Sequence, residues 1–186
     1  MAHREGREAG RGPLSDSHET DLASLAARIR SVASAGGWTV ATAESCTGGL
    51  IGHLLTEVPG SSEYFLGGVI SYADELKVEV LGVSHSSLEH HGAVSAQVVG
   101  AMAQGVRSLT GAHVGVAVTG VAGPGGGSEA KPVGLTYVAV ADARGVDVRR
   151  FTWDGDRSAN KRCSARAALD LLLERLACLD AHPARP

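Results

Sequence analysis

Cysteine is scarce in this chain: Cys46, Cys163 and Cys178 are the only three among 186 residues. An odd count without a C-x-x-C pair excludes a disulfide framework and a cysteine-built zinc site, and it suits a reducing, cytoplasmic setting. No run of about 18 apolar residues occurs, so no membrane-spanning helix is expected. The N-terminus, MAHREGREAGRGPLSD, lacks the apolar segment of a secretory signal. Charge of one sign is not in great excess either. The formal net charge is -3, which argues against nucleic acid or a membrane surface as the principal partner. Eight histidines are present, yet none stands in H-E-x-x-H spacing, so no metal site is expected.

What is present suffices for one domain. Hydrophobic residues make up 44% of the chain, enough for a core at this length. Residues 1–17 are expected to form a disordered tail, 18–178 the folded domain, and 179–186 a second, fraying tail. No internal repeat or linker is visible.

Helix and strand signals alternate. From about Thr20 to Ala35, Leu22, Leu25, Ala26, Ile29, Val32 and Ala33 mark one helical face, which Gly36-Gly37 ends. Trp38 to Ala43 reads as a strand, and Leu50, Ile51, Leu54 and Leu55 as a helix before Pro59-Gly60. Tyr64 to Tyr72 reads as a strand in which Gly67-Gly68 predicts a bulge or a close backbone approach. Glu75 to Leu81 follows as a short helix. Ser95 is a good N-cap for a helix bearing Val98, Val99, Met102, Val106 and Leu109. Val114 to Val118 is apolar or glycine throughout, as a doubly covered central strand would be. Val133–Ala141 and Val146–Trp153 form a pair around a short turn, hence antiparallel, and Asp156 or Ser158 caps a last helix. The prediction is an α/β fold: a three-layer α/β/α domain with a mixed, mostly parallel sheet of about five strands.

Three glycine-punctuated junctions follow strands, where open α/β sheets place their ligands. The first is Glu44-Ser45-Cys46-Thr47-Gly48-Gly49. It opens a helix, so its N–H groups are expected to be unpaired and able to hold a phosphate or an oxyanion. Ser45 and Thr47 add hydroxyls and Cys46 a thiol. The alternative is that Ser45 or Thr47 is an ordinary N-cap and the glycines merely allow tight packing. The second junction is Tyr72-Ala73-Asp74-Glu75-Leu76-Lys77. A serine nucleophile needs a base, and no serine–histidine–aspartate set is evident. A lysine serves if it is neutral, which burial or a neighbouring positive charge must impose. A surface lysine is the alternative. The third junction, Thr119 to Ser128, lets backbone approach a ligand closely, or is a flexible linker. Gly125 to Ala130 fits G-x-G-x-x-A, but Lys131-Pro132 follows in place of a helix, so the dinucleotide fingerprint fails. Finally, Arg149, Arg150, Arg157, Lys161, Arg162 and Arg166 surround the start of the last helix, as candidates for a substrate phosphate or as a solvated basic face.

Taken together, Ala43-Glu44-Ser45-Cys46-Thr47-Gly48-Gly49, Tyr72 with Lys77, Thr119-Gly120-Val121-Ala122-Gly123-Pro124, Lys131-Pro132-Val133-Gly134 and Gly155-Asp156-Arg157 resemble the CinA C-terminal family. The likeness runs in order from about Leu22 to Ala177. The family's characterised activity is nicotinamide-nucleotide amidase (PncC-like). The resemblance implies hydrolysis of nicotinamide mononucleotide to nicotinate mononucleotide and ammonia, in pyridine-nucleotide recycling. It implies a domain that is often a homodimer and needs neither metal nor cofactor. By motif, Ser45 is implied as nucleophile, Lys77 as base and Tyr72 as proton relay or orienting partner. Thr47, Gly48, Thr119, Gly120, Gly123 and Arg157 are the expected substrate contacts, with the phosphate unassigned. Full-length CinA proteins carry a separate N-terminal domain with nucleotide pyrophosphatase activity; 186 residues leave no room for it, so that activity is expected to be absent. Three residues depart from the family pattern. Asp74 stands where asparagine is usual, Ala130 where glutamate is common, and Lys161 where arginine is usual, exchanging a bidentate fork for a point charge. Two rival readings are a nucleotide-binding module without catalysis, in which Lys77 is ordinary and charged, and a cysteine hydrolase pairing Cys46 with His53.

Overall fold

Small and β-branched residues alternate along the inner strands, and that alternation dictates how the layers stack. The computed structural model describes residues 17–181. Its elements are α1 (Ser17–Gly36), β1 (Val40–Glu44), α2 (Leu50–Thr56), β2 (Phe65–Ile70), α3 (Asp74–Glu79), α4 (His85–His91), α5 (Ala96–Thr110), β3 (Val114–Gly120), β4 (Leu135–Asp142), β5 (Gly145–Thr152) and α6 (Arg157–Ala181), with a 3-10 turn at Ser61–Glu63. Val40, Val114, Val116, Val118, Val138 and Val140 face α1, α2 and α6, where Ile29, Ile51, Leu55, Leu169 and Leu172 complete one core. Ala41, Ala43, Ala117, Ala139 and Ala141 face the other way and let α5 approach with Val98, Val99, Met102 and Val106. Gly115 sits on this second face, where a Cβ would collide with the Ala103 carbonyl of α5. Each valine or leucine so buried contributes about 1.5–3 kcal/mol.

The sheet runs β2-β1-β3-β4-β5. β1 pairs in parallel with β2 and β3, while β4 is antiparallel to both β3 and β5. Only β4 therefore runs against the rest, and the expected three-layer α/β/α fold with its mixed, mostly parallel sheet is present. β3 is buried along its length up to Val118 and Thr119, as its unbroken apolar run requires. The glycines of β2 behave as anticipated: Val40 pairs with Phe65 but Ala41 with Gly67, which leaves Leu66 as the extra residue of a bulge. A Cβ on Gly68 would strike the Thr42 hydroxyl.

Several boundaries differ from the sequence reading. β1 begins at Val40 rather than Trp38, whereas α6 has one of its two expected caps, Asp156, whose Oδ1 accepts from the Ala159 N–H at 2.8 Å. α4 has no counterpart in that reading; Ser84 caps it and Gly92 ends it, but Leu88 is its sole apolar residue against the core. Of the expected tails, residues 1–16 and 182–186 lie outside the described residues, while Ser17 belongs to α1 and α6 continues through Ala181. No helix among the described residues is long and apolar enough to cross a membrane.

The topology fixes where a site can form. β1 leaves toward β2 through α2 on one face, and β2 returns to β3 through α5 on the other. The chain thus diverges at the carboxyl ends of β1 and β3, the switch point at which open α/β sheets hold ligands.

Candidate active site

Ser45 follows the last residue of β1 at that switch point. Its N–H donates to Val118 O at 3.1 Å and its carbonyl accepts from Gly48 N at 3.2 Å, which closes a tight turn. The preceding residue, Glu44, is 1% exposed and holds this turn from beneath. Its Oε2 accepts from Thr47 Oγ1 at 2.6 Å, Gly49 N at 2.9 Å and Ile51 N at 3.1 Å, and its Oε1 from Gly52 N at 2.8 Å. A buried carboxylate demands such donors, because burial of an unpaired charge is very costly. The start of α2 supplies them along with the positive end of its dipole. The N–H groups expected to be open for a phosphate are thus largely taken by the protein's own anion. Among the described residues, only the Cys46 and Thr47 N–H groups of the 45–49 turn make no hydrogen bond to another residue.

Tyr72 and Lys77 arrive from the end of β2 and the short helix α3. The Lys77 side chain is 1% exposed. Its Nζ donates to Asp74 Oδ1 at 3.0 Å and to Tyr72 O at 3.3 Å, and no hydrogen bond joins it to Ser45. Lys77 is therefore a buried side chain rather than the surface lysine of the alternative reading, and Asp74 is its partner. The Tyr72 ring is exposed, and its hydroxyl accepts from Arg157 Nη2 at 3.2 Å.

The third wall is the segment after β3. Thr119 Oγ1 donates to Ala93 O at 3.0 Å, drawing the α4–α5 connection toward the strand end. The loop beyond is tied down, not a flexible linker. Val121 N donates to Leu135 O at 2.8 Å, Gly134 N to Val121 O at 2.7 Å, and Lys131 Nζ to His91 O at 2.6 Å at the end of α4. Arg157 reaches across from α6 to donate to Gly123 O at 2.8 Å. Asn160 Nδ2 adds a bond to Ala122 O at 3.1 Å.

These walls enclose a cavity of about 180 Å³, into which Ser45, Cys46, Tyr72, Asp74, Lys77, Thr119, Gly120 and Arg157 all face. The three implied catalytic residues are thus brought together from two separate segments, with Thr119, Gly120 and Arg157 beside them. Thr47 is not on the cavity as a side chain; it is wholly buried and its hydroxyl is bound to Glu44. Gly48 and Gly123 do not line the cavity: Gly48 is exposed beside Lys161, and Gly123 is buried and bonded to Arg157. Burial pushes the Cys46 thiol up to about 12, reinforced by the nearby Glu44 charge and only partly offset by Lys161 and Arg157. His53, the proposed base for that thiol, is exposed and lies beside Glu57 at 3.9 Å. The cysteine reading thus lacks both a thiolate and a base.

The sequence reading did not single out Glu44, Ala93 or Ala122. Only the first left a usable signal, an acidic residue at the entrance to a helix.

Residues 22–176 match the model of the CinA C-terminal domain. The putative competence-damage inducible protein of Moorella thermoacetica is 54% identical over 135 residues, covering 72% of this chain and 32% of the relative. A CinA-like protein of Geobacter sulfurreducens is 50% identical over 140 residues, 75% of this chain and 34% of its own length. The chain spans about a third of the length of these curated relatives. Among solved structures, the competence/damage inducible protein CihA of Agrobacterium tumefaciens superposes with a TM-score of 0.81 at 41% identity, covering 83% of this chain and 94% of that one. The competence damage-inducible protein A of Klebsiella pneumoniae gives 0.81 at 35% identity, over 84% and 97%. With the family model matched across nearly the whole described fold, the chain belongs to the CinA C-terminal domain family.

Proposed function

We propose that this protein is a nicotinamide-nucleotide amidase that hydrolyses nicotinamide mononucleotide to nicotinate mononucleotide and ammonia through a serine–lysine mechanism. The observation that supports it is the shared cavity: Ser45, from the turn after β1, meets Tyr72 and a fully buried Lys77, from the segment after β2. Ser45 Oγ attacks the carboxamide carbon as Lys77 takes its proton, after Nζ turns from Asp74 toward the serine; catalytic hydrogen bonds commonly tighten only with substrate in place. The Cys46 and Thr47 N–H groups receive the oxyanion. Lys77 then returns the proton to the amide nitrogen, the C–N bond breaks, and ammonia leaves. Tyr72, fixed by Arg157, orients the amide. Water adds to the acyl ester, releases the carboxylic acid and restores Ser45 with its proton. The reaction consumes one water per ammonia and needs no redox partner.

A cytoplasmic setting and a homodimer belong to the same reading. The free edge of β2, with Leu66 47% and Ile70 53% exposed, is the surface through which two copies would pair. Light scattering at twice the 19.0 kDa chain mass supports pairing, and a single chain mass contradicts it.

A second reading, a nucleotide-binding module without catalysis, is favoured by one observation, the Lys77–Asp74 ion pair at 3.0 Å. Incubation with nicotinamide mononucleotide and no added metal separates the two. Ammonia and acid product formed in equal amounts support the amidase. Binding of the nucleotide without either product sinks it in favour of the module.

A further inference from the structure

Among the described residues, two buried side-chain polar atoms find no hydrogen-bond partner, Arg30 Nε and Ser71 Oγ. Arg30 is on α1, where another of its nitrogens lies 3.9 Å from Glu63. Ser71 is wholly buried and stands directly before Tyr72, just past the end of β2. The buried hydroxyls of Thr47 and Thr119 are spent on Glu44 and on Ala93 O. A buried hydroxyl left idle is unfavourable, and calls for an explanation in what the protein does.

The sheet register places that hydroxyl. Ala43 pairs with Val69 on one side and Ala117 on the other, and all three belong to the core facing α5. The ladder runs on past them, from Ser71 N to Glu44 O at 2.8 Å and from Ser45 N to Val118 O at 3.1 Å. Two positions along a strand, side chains return to the same face. Ser71, Ser45 and Thr119 therefore follow as one row of hydroxyls across β2, β1 and β3, with neighbouring strands about 4.8 Å apart. Ser45 and Thr119 line the cavity, and Ser71 is the covered member of the row. Lys77 Nζ reaches the same corner, because it donates at 3.3 Å to the carbonyl of Tyr72, the next residue.

In the proposed mechanism Nζ turns from Asp74 to take the proton of Ser45. In a buried site the N–H so freed needs another acceptor. We propose that Ser71 Oγ is that acceptor. Neutral Lys77, its two N–H groups held by Tyr72 O and Ser71 Oγ, then presents its lone pair to Ser45. The O–H bond of Ser45 breaks and an N–H bond forms on Nζ, while Ser71 keeps its own proton. Ser71 is thus a positioning residue that acts through Lys77, and the inference rests on the serine–lysine reading.

Two readouts test it, turnover of nicotinamide mononucleotide and the rate at which phenylmethylsulfonyl fluoride labels Ser45, followed by mass. The second needs no amide substrate. Ser71→Ala is expected to lower kcat and the labelling rate about 10–100-fold, as a misaligned base would. KM stays within about twofold, and Tm does not fall, because the substitution removes a hydroxyl that had no partner. Ser71→Thr keeps the hydroxyl and restores both rates to within about threefold of the parent. Parent rates in Ser71→Ala, a change confined to KM, a folded Ser71→Thr as slow as Ser71→Ala, or a parent whose Ser45 does not label would overturn the assignment. Ammonia released equally by parent and Ser71→Ala removes this role and leaves the amidase. Labelling that depends on Ser71 in a protein that releases no ammonia removes the amidase and leaves the role.

Discussion

Lys77 Nζ lies 3.0 Å from Asp74 Oδ1, a buried amine tied to a carboxylate three residues earlier on the same short helix. Asp74 is 55% exposed at its side chain, so the pair joins a buried amine to a solvated carboxylate. The tether holds Nζ at the cavity, and in the proposed mechanism it is also the bond that proton transfer from Ser45 must break.

Replacement of Asp74 distinguishes these effects. Asp74→Asn keeps an oxygen acceptor at the same place and is expected to retain turnover within about tenfold, because the Asp74 carboxylate is solvated and its charge screened. Asp74→Ala removes the acceptor, lets Nζ wander, and lowers kcat by about 10²-fold, the cost of a misplaced general base. Steady-state kinetics on both variants check this, and equal rates for parent and Asp74→Ala contradict it.

Glu44 holds the Ser45 turn from beneath. Glu44→Gln keeps one acceptor oxygen and turns an amide NH₂ toward backbone donors. Each donor left without an acceptor costs about 1–3 kcal/mol, or about 2–4 °C in Tm per kcal/mol for a domain of this size. The expected result is a lowered Tm together with a kcat loss that exceeds any change in KM, because the oxyanion N–H groups lose their alignment. An unchanged Tm and kcat would contradict the assignment.

Cys46, next to Ser45, is expected to be inert. Burial holds its thiol protonated until about 12, so iodoacetamide at pH 8 should label exposed Cys178 and spare Cys46 in the folded protein. The sign for stability follows from the same shift. Below the ordinary 9.0 both folded and unfolded thiols keep their proton; between 9.0 and about 12 only the unfolded one loses it, so stability falls as pH rises through that window. Cys46→Ala should remain active. Rapid native alkylation of Cys46, followed by loss of turnover, would reverse this account.

Local signals carried much of the fold. α5 was legible because Ser95 caps it and Val98, Val99, Met102 and Val106 repeat at helical spacing; the side-chain cap to Val98 N is present at 3.3 Å. The bulge in β2 was legible because paired glycines in a strand have few other uses. α4 was not, since HSSLEHH offers Leu88 alone to the core and no apolar period. In the site, motif and resemblance pointed to Ser45, Tyr72 and Lys77, but the bonds that place them were hidden. The Arg157–Tyr72 bond joins residues 85 positions apart. Glu44 was read only as part of a motif because its partners are backbone N–H groups, which every residue but proline carries. The Thr47 hydroxyl serves Glu44 rather than the cavity, which the motif alone does not reveal.

The central claim is that Ser45 is the nucleophile of an amide hydrolysis. The direct measurement is the rate of ammonia release from saturating nicotinamide mononucleotide by the parent and by Ser45→Ala, folded to the same Tm. The account predicts release by the parent and a loss on the order of 10⁴-fold or more in the variant. A Ser45→Ala protein within tenfold of the parent would contradict it.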